Sequence, residues 1–255
     1  MSRCIGSIIA VWSIIAWQGP VPAAVGQDRP APPEGINENF QDPDVEQFLG
    51  RFEAESREVY AQRHEVVKAL GLKPGMAIAD IGAGTGLYTM LFAEQVKPDG
   101  KVYAVDIAPK FLAFIADRAE KAGLGEVVET IQATQTSTAL PPDSIDVAFI
   151  CDNYHHFEHP EESLASIQQA LRPDGRLVII EFDRREGISS EFILGHVRAD
   201  KATFLNEIRS AGFERVPIAG GPEYEENFFA VLRKVDRSED APQQSPETGG
   251  EGDNG

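Results

Sequence analysis

Strand-like and helical runs alternate from Met76 onward, and that alternation limits the chain to a few architectures. The first run, Met76 to Ile81, ends in Gly82-Ala83-Gly84-Thr85-Gly86, and helical periodicity follows from Leu87 to Gln95. A strand that passes through a glycine turn into a helix aims backbone N–H groups and a helix N-terminus at a ligand. "KVYAVDI" leads to a helix from Pro109 to Ala122, with proline in the first turn, where its missing N–H costs nothing. "VVETIQA" and "SIDVAFIC" are further strands, Glu161 to Leu171 a helix, "GRLVIIEF" a strand, and Lys201 to Ala211 a helix closed by Gly212. "FERVPIA" and "NFFAVLRKV" follow with no helix between them, which predicts an antiparallel hairpin at a sheet edge. The expected fold is α/β: a doubly wound, Rossmann-like, mostly parallel seven-stranded sheet with a terminal antiparallel hairpin.

Upstream, Val45, Phe48, Leu49 and Phe52 fall at i, i+3, i+4 and i+7, and Val59, Val66, Val67 and Leu70 carry a helical pattern on to Leu72. The folded domain is therefore expected at 45–235. Residues 27–44 are rich in proline and polar side chains and read as a linker. Residues 236–255 hold almost no apolar side chain and read as a disordered acidic tail. Residues 1–26 carry Arg3, an apolar run from Ile8 to Trp17, a proline break and then Ala24-Val25-Gly26, the order of a secretory signal peptide cleaved before Gln27. The apolar run falls short of the roughly 20 residues of a membrane span. Export to the periplasm or the exterior is expected, with no stable span after cleavage; anchoring by an uncleaved signal is the second arrangement. The formal net charge of -18 excludes a generic nucleic-acid partner, which needs a basic face. Cys4 and Cys151, the two cysteines, make neither a disulfide framework nor a zinc site.

The dinucleotide-binding fingerprint is G-x-G-x-x-G; the loop here is one residue shorter. Asp106, at the tip of the second strand and about 20 residues past the loop, is placed to hold a ribose diol through its two acceptor oxygens. The ligand then contains a ribose. Asp80 lies inside an apolar strand, where an unpaired acid is costly.

The ordered segments "ADIGAGTG", "AVDIAP", "DVAFICDNYHHF" and "LRPDGRLVIIEF" resemble those of the class I S-adenosylmethionine-dependent methyltransferases, and the likeness runs from Gly71 to about Val235. Within that class the chain is similar to small-molecule enzymes such as the quinone-type C-methyltransferases. The resemblance implies S-adenosyl-L-methionine as cofactor and a small-molecule or lipid-like acceptor. It places Gly82, Ala83, Gly84 and Gly86 under the methionine moiety, with Asp80 orienting the loop and facing the cofactor amino group. Asp106 would bind the ribose, Ile107 would pack on the adenine, and Asp152 would lie beside the transferring methyl. The family's acid after the third strand has no counterpart from Ile131 to Pro141; Thr134 or Gln135 would substitute. Two other classes compete: an NAD-dependent oxidoreductase, which the short loop and terminal hairpin disfavour, and an exported, non-catalytic ligand-binding protein, which the signal peptide favours because the cofactor supply is cytoplasmic.

"CDNYHHFEHP" follows the fourth strand, and ligands of open α/β sheets sit outside the carboxyl ends of the strands. Methyl transfer needs a nucleophile near the methyl and sometimes a base. The expected catalytic set is Asp152, Tyr154, His155, His156 and His196, with His155 or His156 as base and Tyr154 orienting the acceptor. Asp152, His155, His159 and His196 match no established metal-ligand spacing, so no metal is expected. Arg57 and Tyr60 are placed either to close over the cofactor or to form a solvated helix face.

Overall fold

The computed structural model describes residues 30–218 and 220–235. The expected signal sequence at 1–26 and acidic tail at 236–255 lie outside the described residues. Among the described residues, no helix is long and apolar enough to cross a membrane.

Three short helices precede the sheet: α1 (Val45–Phe52), α2 (Glu58–Ala61) and α3 (Arg63–Leu70). The helical pattern predicted up to Leu72 is thus real but interrupted. Asp44 caps α1 by accepting from the Gln47 N–H at 3.1 Å, and Arg57 takes an extended conformation before α2. The alternating region follows as β1 (Ala77–Ile81), α4 (Leu87–Val96), β2 (Lys101–Asp106), α5 (Pro109–Lys121), β3 (Val128–Gln132), β4 (Ile145–Cys151), α6 (Pro160–Ala170), β5 (Leu171–Phe182), α7 (Glu191–His196), α8 (Lys201–Ser210), β6 (Phe213–Val216) and β7 (Asn227–Lys234). Helix α7 was not expected from the sequence; Ser190 caps it by accepting from the Ile193 N–H.

The seven strands lie in the order β3-β2-β1-β4-β5-β7-β6. Neighbours from β3 to β5 are parallel, while β7 runs antiparallel to both β5 and β6. The terminal hairpin is present at the edge, and its second strand is inserted between β5 and β6. The central strands are buried on both faces, as a parallel sheet requires. Ala79, Ile150, Leu177 and Ile179 join a core with α6 and α8, whereas Ile78, Phe149, Val178 and Ile180 join one with α3, α4 and α5. Strand order reverses at β1, between β2 and β4, and the crevice at their carboxyl ends is where such sheets bind ligands.

Candidate active site

A cavity of about 660 Å³ opens at that crevice, a size usual for small-molecule sites. At one end lies the glycine loop. The Gly82 and Ala83 N–H groups donate to the Val105 carbonyl at 2.8 and 3.1 Å, tying the loop to the end of β2. Gly82 and Gly84 have φ of 75° and 53°, the left-handed region that glycine enters freely. A Cβ on Gly82 would lie 2.0 Å from Asn153 Nδ2, and one on Gly84 would lie 3.1 Å from the Phe52 ring. The backbone conformation favours glycine at both, and at Gly82 a Cβ would also displace the Asn153 side chain. Gly86, in contrast, precedes α4 against Ile115 and does not line the cavity.

Asp106 lines the cavity, and its carboxylate clasps two loops: Oδ2 accepts from the Gly84 N–H at 2.9 Å and Oδ1 from the Ala108 N–H at 2.8 Å. Each oxygen keeps a second lone pair for a ligand. Burial raises the Asp106 carboxyl pKa against these bonds. Ile107, at 42% exposure, stands at the rim. Thr134 and Gln135 line the same end. Asp80, only 4% exposed, accepts from the Thr89 hydroxyl at 2.6 Å. Burial pushes its pKa up to about 7, and the Asp106 charge adds to the rise.

At the other end, Asp152 has left-handed backbone (φ 46°) and a paired carboxylate. Arg57 donates to Oδ2, and Asn227 Nδ2 donates to Oδ1 at 2.6 Å. Burial pushes Asp152 up to about 6, with Arg57 holding it lower than burial alone would. Arg57 therefore points into the cavity, while Tyr60 lies under the Arg63 guanidinium and does not line it.

His155, His156 and His196 come together, with ring centroids 4.2 to 5.2 Å apart. His155 is 1% exposed and its Nδ1 lies 2.8 Å from Glu181 Oε1. Glu181 holds the ring by its Nδ1 side, which leaves Nε2 as the nitrogen free of that contact. Nε2 is buried with no partner among the described residues. For His156, Asn37 Nδ2 donates to the His156 carbonyl and to Glu158, which leaves Asn37 Oδ1 to accept from Nδ1 at 2.9 Å. Burial, then His155 and His196, push His156 down to about 2; burial and His155 push His196 down to about 4. Both rings are neutral at pH 7 and weak as proton acceptors.

Two expectations need correction. Tyr154 does not face the acceptor: it is fully buried, and its hydroxyl donates to Glu207 at 2.9 Å beside Arg198. The short turn Tyr154–His156 points one side chain into the core and the next two into the cavity. Residues 30–44, within the segment read as a linker, carry Asn37 to His156 and set the Phe40 ring edge-on to the His156 ring at 5.0 Å. His159, half-exposed near Glu162, stands outside the cluster. Sequence reasoning also missed Asn37, Glu181, Asn227 and Glu53. The Glu53 carboxylate accepts from the Thr85 hydroxyl at 3.1 Å and from Arg118 at 2.6 Å, seating the N-terminal helices on the glycine loop.

Residues 79–179 match the family described as methyltransferase domain. A ubiquinone/menaquinone biosynthesis C-methyltransferase of Ectopseudomonas mendocina is 33% identical over 118 residues, covering 46% of this chain and 46% of that protein. The chain thus aligns with about half the length of such relatives. A SAM-dependent methyltransferase from Aquifex aeolicus superposes with a TM-score of 0.62 at 23% identity, over 74% of this chain and 98% of that one. The [4+2]-cyclase SpnF superposes with a TM-score of 0.54 at 23% identity, over 62% and 60%, so the fold alone does not fix the reaction. Residues 79–179 thus match the methyltransferase-domain family, and the fold is that of the SAM-dependent methyltransferase structure.

Proposed function

We propose that the cavity binds S-adenosyl-L-methionine at the glycine-loop end and methylates a small, largely apolar or lipid-like acceptor held at the histidine end. The observation that carries this reading is Asp80. A carboxylate 4% exposed, on the cavity wall and with no cation among its described partners, is completed by a cationic ligand. Asp106 has lone pairs to spare for ribose hydroxyls, Ile107 offers an apolar face to adenine, and Thr134 or Gln135 supply polar atoms at its edge. The bound cofactor supplies an electrophilic methyl on its sulfonium. Phe157, Phe182 and Phe192 make the acceptor end apolar, and holding both reactants there supplies much of the acceleration. The inserted antiparallel β7 departs from the 3-2-1-4-5-6 dinucleotide order and disfavours NAD.

Calorimetric titration of the chain with S-adenosylhomocysteine and with NAD tests the assignment. Binding of the first and not the second is expected; the reverse result overturns it. The pattern of residues 1–26 supports export, with anchoring by an uncleaved signal as the alternative. A reporter fused after Asp28 should leave the cytoplasm, and a cytoplasmic, full-length fusion rejects both arrangements.

A further inference from the structure

We propose that His155, His156 and His196 form a binding site for a divalent first-row transition ion, zinc foremost. Three features of the structure converge on it. The first is convergence of donors: one ring nitrogen from each histidine can be chosen so that all three lie within 4.8 Å of one another. A tetrahedral ion with bonds of about 2.0–2.1 Å needs nitrogens roughly 3.4 Å apart, so the rings close by about 1.4 Å at most. His156 and His196 are partly exposed, and His196 ends the six-residue α7, which leaves room for that closure.

The second is the buried ring nitrogen. His155 Nε2 has no hydrogen-bond partner among the described residues although the residue is 1% exposed. A polar atom buried without a partner bears its desolvation cost uncompensated. A metal ion satisfies it without a proton.

The third is the outer set of contacts. Metal-bound histidines usually donate their other N–H to a carboxylate or carbonyl, which fixes the tautomer and raises the basicity of the ligating nitrogen. His155 does so to Glu181, whose carboxylate is fully buried and further fixed by the N–H groups of His155 at 3.1 Å and Phe182 at 2.7 Å. His156 does so to the Asn37 side-chain oxygen.

Three imidazole nitrogens suit zinc, copper, iron or nickel, and not magnesium or calcium. A three-histidine zinc site keeps a fourth position open for an exogenous ligand. Here that position opens on the cavity. On the function proposed above, it takes an oxygen or sulfur atom of the acceptor.

The test is titration of the full chain with Zn²⁺ alone, and with Co²⁺ followed by its visible absorption. One ion per chain is expected. His196→Ala should weaken zinc binding at least tenfold, and Glu181→Gln by about 10- to 100-fold, while His159→Ala leaves it unchanged. His155 lies in the core, so His196→Ala carries the test if His155→Ala does not fold. Absence of zinc binding by the folded chain, or equal zinc affinity in His196→Ala, overturns the site. S-adenosylhomocysteine is titrated separately: its loss with zinc retained counts against the proposed function alone, and zinc loss with S-adenosylhomocysteine retained counts against the metal site alone.

Discussion

If Asp80 is the group that receives the positive charge of the cofactor, binding must expel its proton. In the free protein burial holds its pKa at about 7 rather than 3.8. At pH 6 about nine in ten molecules therefore carry the proton, and at pH 8 about one in ten. A ligand cation favours the ionised carboxylate and returns the pKa towards its ordinary value. Affinity for S-adenosylhomocysteine, through its ammonium group, should then fall about tenfold from pH 8 to pH 6, with close to one proton released per binding event at pH 6. Calorimetry in two buffers of different ionisation enthalpy measures both quantities. Asp80→Asn should bind more weakly at pH 8 and lose most of the slope; Asp152, already paired with Arg57, adds to the slope only below its pKa of about 6. The free protein shows the opposite sign. The folded state holds a proton that the unfolded chain has lost between about pH 4 and 7, so the Asp80 contribution to stability decreases as pH rises through that window. The full shift corresponds to about 4 kcal/mol, an upper bound on the gain in ligand-free Asp80→Asn at pH 8, seen as a higher Tm. A wild-type affinity that is flat between pH 6 and 8, or an unchanged slope in Asp80→Asn, would refute this assignment.

Other substitutions separate binding from support. Asp106→Ala should weaken S-adenosylhomocysteine at least tenfold, since each bond to a charged group is worth about 1.5–3 kcal/mol, and should also lower Tm because the Gly84 and Ala108 N–H groups lose their acceptor; unchanged affinity would make Asp106 a loop clasp only. Gly82→Ala should abolish binding through its 2.0 Å clash with Asn153, and Asn153→Ala in the same chain should restore part of it, both read by calorimetry. Arg57→Ala should leave the Asp152 carboxylate paired only with Asn227, destabilise the fold by about 1–3 kcal/mol in urea titration, and raise the Asp152 pKa above about 6.

The sheet was legible because its signal is local. Apolar runs of strand length, glycine or proline at their ends, and a 3.6-residue period between them each identify an element without reference to the rest of the chain. The cofactor end of the cavity was legible for the same reason: Asp80 and the loop glycines lie within seven residues, and Asp106 ends the next strand. The acceptor end was not. Residues 154 to 156 form a single turn, so adjacent side chains diverge; Tyr154 enters the core and reaches Glu207, and the two histidines enter the cavity. No periodicity predicts which residue of such a turn faces inward. Glu181 sits in a run that reads as plain strand, and its partner is 26 positions away.

The least legible part is the segment before the sheet, because its role lies in distant contacts. Asn37 meets His156 across 119 positions, and Arg57 meets Asp152 across 95. The Glu58 carboxylate accepts from the N–H groups of Glu225, Glu226 and Asn227 at 2.6, 3.0 and 3.2 Å, joining α2 to the start of β7. Asn227 in turn holds Asp152. The helices that read as an amphipathic preface therefore connect both ends of the cavity: Glu53 and Phe52 at the glycine loop, Arg57 at the end of β4, and Glu58 at β7. Their interruption between Phe52 and Glu58 is what frees these side chains to point in different directions, which a continuous helix with one apolar stripe cannot do. That interruption, which the helical pattern from Val45 to Leu72 did not announce, is the feature by which this segment builds the cavity wall.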